Sequence, residues 1–325
     1  MKKAEKRLTR FKRLVKTSAL VIAAGILVLI YFLSATQPPI LKGRVEYGIT
    51  YKQGLDLDVY FPTQRLFEKS PVVLFFHGGA WVTGRKESLN LKRLNGSINT
   101  LRENGYTIVS PEYTLAREGK SPFPDCIIDS YDAVHWIVQH ADSLQLDMNN
   151  FGVMGESAGG HIALMNAFAK PSDFGLNYEK TDFKYIIDIY GPTDLISLYE
   201  SQTVDSLNAV LTELPKLIRE PLDLPKLLFG FDPRSDSSKR IKMSLKYSPI
   251  TYLSKDIPPI LMVQGTADIV VPPDQTYGLK AKLDSLDIPN EILVLEGVHH
   301  GFFFASDEQK DSVQTAIPEF IIQKP

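Results

Sequence analysis

One cysteine, Cys126, in a chain of 325 residues leaves no partner for an internal disulfide and no thiolate set for a zinc site. The six histidines include no pair at metal-ligand spacing such as His-Glu-x-x-His, so no metal is assigned and no cofactor is expected. There is no internal repeat and no low-complexity tract. Nor is there an interdomain linker, apart from a short tether at Gln37-Pro38-Pro39. Apolar residues make up 44% and charged residues 23%, which excludes disordered and fibrous architectures.

Excess charge of one sign is absent overall, at a formal −2, but the balance is uneven along the chain. Residues 1–16 carry eight basic side chains (Lys2, Lys3, Lys6, Arg7, Arg10, Lys12, Arg13, Lys16) against the single acid Glu5. That leaves 28 basic against 37 acidic residues, of the 36 and 38 in the whole chain. A body this acidic is a poor nucleic-acid binder, and none is expected as a partner. Residues 17–36 hold no charge at all. Twenty residues at about 1.5 Å each span about 30 Å, the thickness of a bilayer's hydrocarbon core. Basic flanks stay in the cytoplasm, so the expectation is a signal anchor with everything after residue 36 on the far side of the membrane. The alternative is a cleaved signal peptide, with small residues for cleavage at Leu33-Ser34-Ala35, and a secreted protein.

Residues 37–325 fit one α/β domain. Short β-branched or aromatic runs occur at 44–51, 55–61, 72–77, 106–111, 151–155, 185–190, 260–265 and 291–296. The first two sit close together, like an antiparallel hairpin turning through Lys52-Gln53-Gly54. Later runs are almost continuously apolar, as in strands covered on both faces. Helical stretches at 89–104, 126–140, 158–168, 275–286 and 306–322 separate them. The last opens with a capping box, Ser306-Asp307-Glu308-Gln309. This alternation predicts an eight-stranded, mostly parallel sheet flanked by helices. Residues 195–246 break it, with four prolines and helical apolar spacing at Val204, Leu207, Leu211 and Leu214. They read as a helical cap insertion over the site.

Three strand ends carry chemistry. Gly155-Glu156-Ser157-Ala158-Gly159-Gly160 joins a strand to a helix, and its glycines permit a turn that lifts the Ser157 hydroxyl above the sheet. Serine is a weak nucleophile and needs a base within reach; without one, Ser157 is merely the cap of the following helix. His77-Gly78-Gly79-Ala80-Trp81 offers backbone amides at close approach, as an oxyanion hole requires, or else is a turn that needs two glycines. His77 reads as a structural histidine of that loop. Asp268, in Gly265-Thr266-Ala267-Asp268, can orient an imidazolium, with Asp274 a rival nearby. Val298-His299-His300-Gly301-Phe302 follows the last strand. Ser157, Asp268, His300 is the chain order of α/β-hydrolase triads. Phe302-Phe303-Phe304 either lines an acyl pocket or packs the core.

With these motifs together, the chain resembles an α/β-hydrolase of the hormone-sensitive-lipase-like and bacterial carboxylesterase group, the branch with feruloyl and acetyl xylan esterase-like proteins. Tyr190-Gly191-Pro192-Thr193-Asp194-Leu195 and Tyr247-Ser248-Pro249-Ile250 add to the resemblance, which covers roughly residues 45–322. It implies Ser157 as nucleophile, His300 as base and Asp268 as its partner. The amides of Gly79, Ala80 and Ala158 would form the oxyanion hole. Ala80 stands where the lipase-like motif usually has a third glycine. His299 stands where a small residue usually precedes the base, which leaves His299 as a competing candidate. The implied reaction is hydrolysis of a small-molecule carboxylic ester through an acyl-enzyme. Alternatives are a serine peptidase of prolyl-oligopeptidase type, for whose propeller domain there is no room, and a non-catalytic binding module with a hydrolase fold.

Overall fold

The computed structural model describes residues 43–201 and 223–323. Eight strands form one sheet in the order β1-β2-β4-β3-β5-β6-β7-β8. They are β1 (Val45–Lys52), β2 (Leu55–Tyr60), β3 (Ser70–Phe76), β4 (Thr107–Pro111), β5 (Leu146–Glu156), β6 (Ile186–Ile189), β7 (Ile260–Gly265) and β8 (Asn290–Leu295). The expected hairpin is present: β1 and β2 are antiparallel, with Lys52 opposite Leu55. β2 also runs antiparallel to β4, and every pairing from β4 to β8 is parallel. All parallel strands therefore end at one edge of the sheet, and the loops leaving that edge meet.

Successive side chains on a strand face opposite ways, so a sheet covered on both faces needs apolar residues at every position. β3 meets that need. Val72, Leu74 and Phe76 join one core with Cys126, Ile127 and Ile162, while Val73 and Phe75 join a second with Ile98, Leu101 and Ile317. Each such side chain contributes about 1.5–3 kcal/mol by leaving water. The helices behind these cores are α1 (Asn95–Glu103), α2 (Asp125–Leu144), α3 (Ala158–Phe168) and, near the C-terminus, Asp307–Ile322. The capping box of that last helix forms: Ser306 Oγ accepts from the Gln309 amide at 3.2 Å, and Gln309 Oε1 accepts from the Ser306 amide at 2.9 Å.

Two expectations are corrected. The single helix expected over 89–104 is a 3-10 turn, Lys86–Asn90, followed by α1. Between them the chain turns to bury Leu94 and to send Arg93 toward Glu156. β5 begins at Leu146, five residues earlier than its apolar run, because a register shift against β3 falls between Pro71 and Val72 and leaves 148–150 outside the regular pairing. In the described parts of 195–246 the elements are helical: Leu195–Tyr199, Leu224–Phe229 and Ser237–Lys246. The stripe Val204, Leu207, Leu211 and Leu214 lies outside the described residues, as does the uncharged segment 17–36. Among the described residues no helix is long and apolar enough to cross a membrane.

Candidate active site

Ser157 sits between β5 and α3 with φ 53° and ψ −122°, a left-handed backbone that costs a non-glycine residue on the order of 1–3 kcal/mol. The turn persists because its surroundings fix it. The Ser157 amide donates to Ile189 O at 2.8 Å. A Cβ on Gly155 would stand 2.1 Å from Gly159 O, and one on Gly159 would stand 2.1 Å from Phe76 O. The glycines two before and two after the serine are thus required by close backbone approach, and Ser157 is left half-buried at the rim.

The loops after β7 and β8 reach the same rim. Asp268 is 4% exposed; its Oδ1 accepts from the amides of Val270 and Val271 at 2.8 and 2.9 Å. Its Oδ2 lies 2.7 Å from His300 Nδ1, and His300 Nε2 lies 2.9 Å from Ser157 Oγ. A carboxylate only accepts hydrogen bonds, so Nδ1 carries the imidazole proton and Nε2 faces the serine hydroxyl as acceptor. His299 turns away, with its ring edge-on to Phe304 at 5.3 Å. Asp274 is exposed at the start of the next helix. Of the pairs left open by sequence, the geometry thus joins His300 and Asp268 to Ser157. Phe302 is buried in the core, whereas Phe304 is 85% exposed.

The loop after β3 lies beside the serine. Gly79, Ala80 and Trp81 all have positive φ, at 126°, 52° and 57°, and Gly79 O accepts from the amides of Val82 and Thr83 at 3.0 Å. Among the described residues, the amides of Gly79, Ala80 and Ala158 donate to no protein acceptor. His77, fully buried, braces the loop: Nδ1 donates to Gly78 O at 2.8 Å and the ring stacks on Tyr113 at 4.3 Å. Its Nε2 is 3.4 Å from Glu112. Burial opposes the charge of Glu112, but His77 and the Lys86 amide outweigh it and hold its pKa below the usual carboxylate value. His161, one turn into α3, is pushed down to about 4 by burial. Neutral, it donates through Nε2 to Tyr247 O at 2.6 Å.

Under the serine lies an ionic group for which sequence reasoning gave no role. Glu156 is 2% exposed. Arg93 Nε and Nη2 donate to it at 2.8 and 2.6 Å, and Tyr190 Oη donates at 3.0 Å. Burial opposes the Glu156 charge, yet Arg93 outweighs it and keeps the pKa below the ordinary value. The available signal was a carboxylate inside an otherwise apolar turn, which needs a buried cation; which of the many basic residues supplies it is a matter of tertiary contact. Among the described residues there is no group of three or more metal-binding side chains. A surface cleft lined by Tyr51, Lys52, Asp132 and Trp136 includes none of the residues around Ser157.

A strained serine turn, a histidine–aspartate pair within reach of it and free amides opposite form the arrangement on which comparison with known proteins bears. The family model BD-FAE matches residues 57–283, a span that includes Ser157 and Asp268 and stops short of His300. The chain belongs to the BD-FAE family. It is similar to the probable carboxylic ester hydrolase LipM of Mycobacterium tuberculosis, 26% identical over 86% of this chain and 61% of that protein. It is also similar to an esterase of Gibberella moniliformis, 25% identical over 82% of this chain and 76% of that protein. The chain thus spans less than two thirds of LipM. Among solved structures, the Pyrobaculum calidifontis esterase is 25% identical with a TM-score of 0.67, covering 96% of this chain and 94% of that one. A truncated carbohydrate esterase from gut microbiota, 18% identical with a TM-score of 0.67 over 88% of this chain and all of that one, shares the α/β-hydrolase fold.

Proposed function

We propose that this BD-FAE family member is a carboxylic ester hydrolase that uses Ser157 as nucleophile, His300 as base and Asp268 to orient the base. The observation that carries the reading is the unbroken hydrogen-bond chain Asp268–His300–Ser157, at 2.7 and 2.9 Å. Ser157 Oγ attacks the ester carbonyl as His300 Nε2 takes its proton. The tetrahedral oxyanion forms against the amides of Gly79, Ala80 and Ala158, the last at the start of α3, where the helix dipole also favours negative charge. His300 then returns the proton to the leaving alcohol. Water, activated by the same histidine, hydrolyses the acyl-enzyme and frees Ser157. The named activities of the relatives support ester hydrolysis as the reaction class. A fluorophosphonate probe, with a panel of p-nitrophenyl esters of rising chain length, tests the reading. One probe molecule per chain and ester turnover are expected, both lost in Ser157→Ala. Labelling that survives this substitution would exclude Ser157 as the nucleophile.

The basic stretch 1–16 and the uncharged stretch 17–36 support a membrane anchor with the hydrolase domain outside the cytoplasm, or secretion if the segment is cleaved.

A further inference from the structure

The reaction above makes no use of Glu156, although it adjoins Ser157 in the chain and is almost wholly buried. A buried carboxylate is expensive unless paired, and here the pairing leads to the base. Tyr190, which bonds to Glu156, has a backbone φ of 43°, and its amide is tied to Val263 O at 2.9 Å. Its ring lies 4.6 Å from the His300 ring and 5.1 Å from that of Phe302. Arg93 holds both Glu156 oxygens in a fork, from the turn before α1.

We propose that Arg93, Glu156 and Tyr190 form a positioning unit for His300, in which the Tyr190 ring seats the imidazole and Arg93 cancels the Glu156 charge, leaving Asp268 to govern the base. This rests on reading Ser157 and His300 as nucleophile and base. Four described groups that titrate or carry charge face the imidazole: Asp268 from the loop after β7, Ser157 and Glu156 at the end of β5, and Tyr190 after β6. His299 faces Phe304 instead. With Arg93 and Glu156 matched, the net charge beneath the serine is zero. Removing Glu156 leaves the Arg93 cation unpaired beneath the serine, and removing Arg93 leaves the Glu156 carboxylate unpaired there.

The test is the pH profile of kcat/KM on p-nitrophenyl acetate, whose acid limb reports protonation of the free enzyme's base. Glu156→Gln leaves a guanidinium that cannot lose its charge. Imidazolium is then disfavoured, and the acid limb should move to lower pH by on the order of one unit. Adding Arg93→Gln to Glu156→Gln removes the stray cation and should return the limb to its wild-type position. For the seating role, Tyr190→Ala should lower kcat at least tenfold with little change in KM. Tyr190→Phe keeps the ring and should recover most of that loss. An unmoved limb in Glu156→Gln, a limb that the double variant does not restore, or a Phe variant as impaired as the Ala variant would each overturn the proposal. Should Glu156→Gln fail to fold, the Tyr190 pair decides alone. Ser157→Ala in the same assay keeps the two ideas apart, because activity surviving that substitution refutes the nucleophile whatever the other variants do.

Discussion

Asp188 offers a prediction whose size follows from the structure. It lies on β6 beneath α3, fully buried. Its Oδ1 accepts from the Gly191 amide at 3.0 Å, and Oδ2 has no partner among the described residues. No cation stands beside it among the described residues, and burial pushes its carboxyl up to about 8 from 3.8. Between about pH 4 and 8 the folded chain therefore keeps a proton that the unfolded chain has released. The unfolded state binds fewer protons, so stability falls as pH rises through this window, by about 1.4 kcal/mol per unit. Above about 8 the slope from this residue ends. Asp188→Asn keeps the acceptor for Gly191 and cannot ionise, so the slope should vanish. Between pH 5 and 8 the variant should gain about 4 kcal/mol on the wild type, roughly 8 °C in melting temperature at about 2 °C per kcal/mol. Thermal melts of both proteins at half-unit pH steps measure this difference directly, and the contributions of other groups cancel. Melting curves that stay parallel across the window would refute a buried, protonated Asp188.

Ser157→Ala should lower esterase turnover by on the order of 10⁴–10⁶-fold with the melting temperature little changed; more than a tenth of wild-type turnover would refute its role. His300→Ala should cost nearly as much, because the members of such a unit act together, while His299→Ala keeps most of the activity; reversed losses in kcat/KM would move the base by one residue. Gly159→Ala would force a methyl to within 2.1 Å of Phe76 O and 2.4 Å of His77 O. It should separate the serine turn from the amide loop, and a kcat/KM drop of about a hundredfold or more is expected; activity within tenfold of wild type would contradict that fit. A chain beginning near Pro39 should be soluble and active, and the full chain should sediment with membranes and need detergent rather than salt for release; release by salt would point to electrostatic attachment of residues 1–16.

Much of the architecture was legible because local rules and tertiary structure agree. Strands β3 and β7 are covered on both faces, so their sequences are almost purely apolar and bounded by glycine or proline; 72–77 and 260–265 were legible for that reason. Gly155 and Gly159 were legible as a turn because no other residue tolerates backbone oxygens about 2 Å from its Cβ position. The first five residues of β5 were hidden because their register is set by β3 across the sheet rather than by their own pattern. The break between Asn90 and Asn95 was hidden for a similar reason. Leu91, Leu94, Ile98 and Leu101 follow helical spacing, while the contact that accompanies the turn, Arg93 with Glu156, is made across the fold and leaves no mark in the local pattern.

What the sequence alone determined is local: a serine in a turn that glycine must build, amides in a glycine loop, and an aspartate and a histidine at later strand ends in the chain order of α/β-hydrolase triads. Those are statements about the backbone and about residue types, and both are local. Which histidine of the adjacent pair meets the serine, whether Asp268 or Asp274 backs it, and which cation neutralises Glu156 were decided by tertiary structure. His299 and His300 are neighbours in the chain, yet the 3-10 turn His300–Phe302 directs one ring to Ser157 and the other to Phe304. Arg93 and Glu156 are 63 residues apart, and nothing in either stretch names the other. Pairing at such separation is fixed by the packing of the sheet and helices that carry the two residues, because charges compensate one another through space and not along the chain.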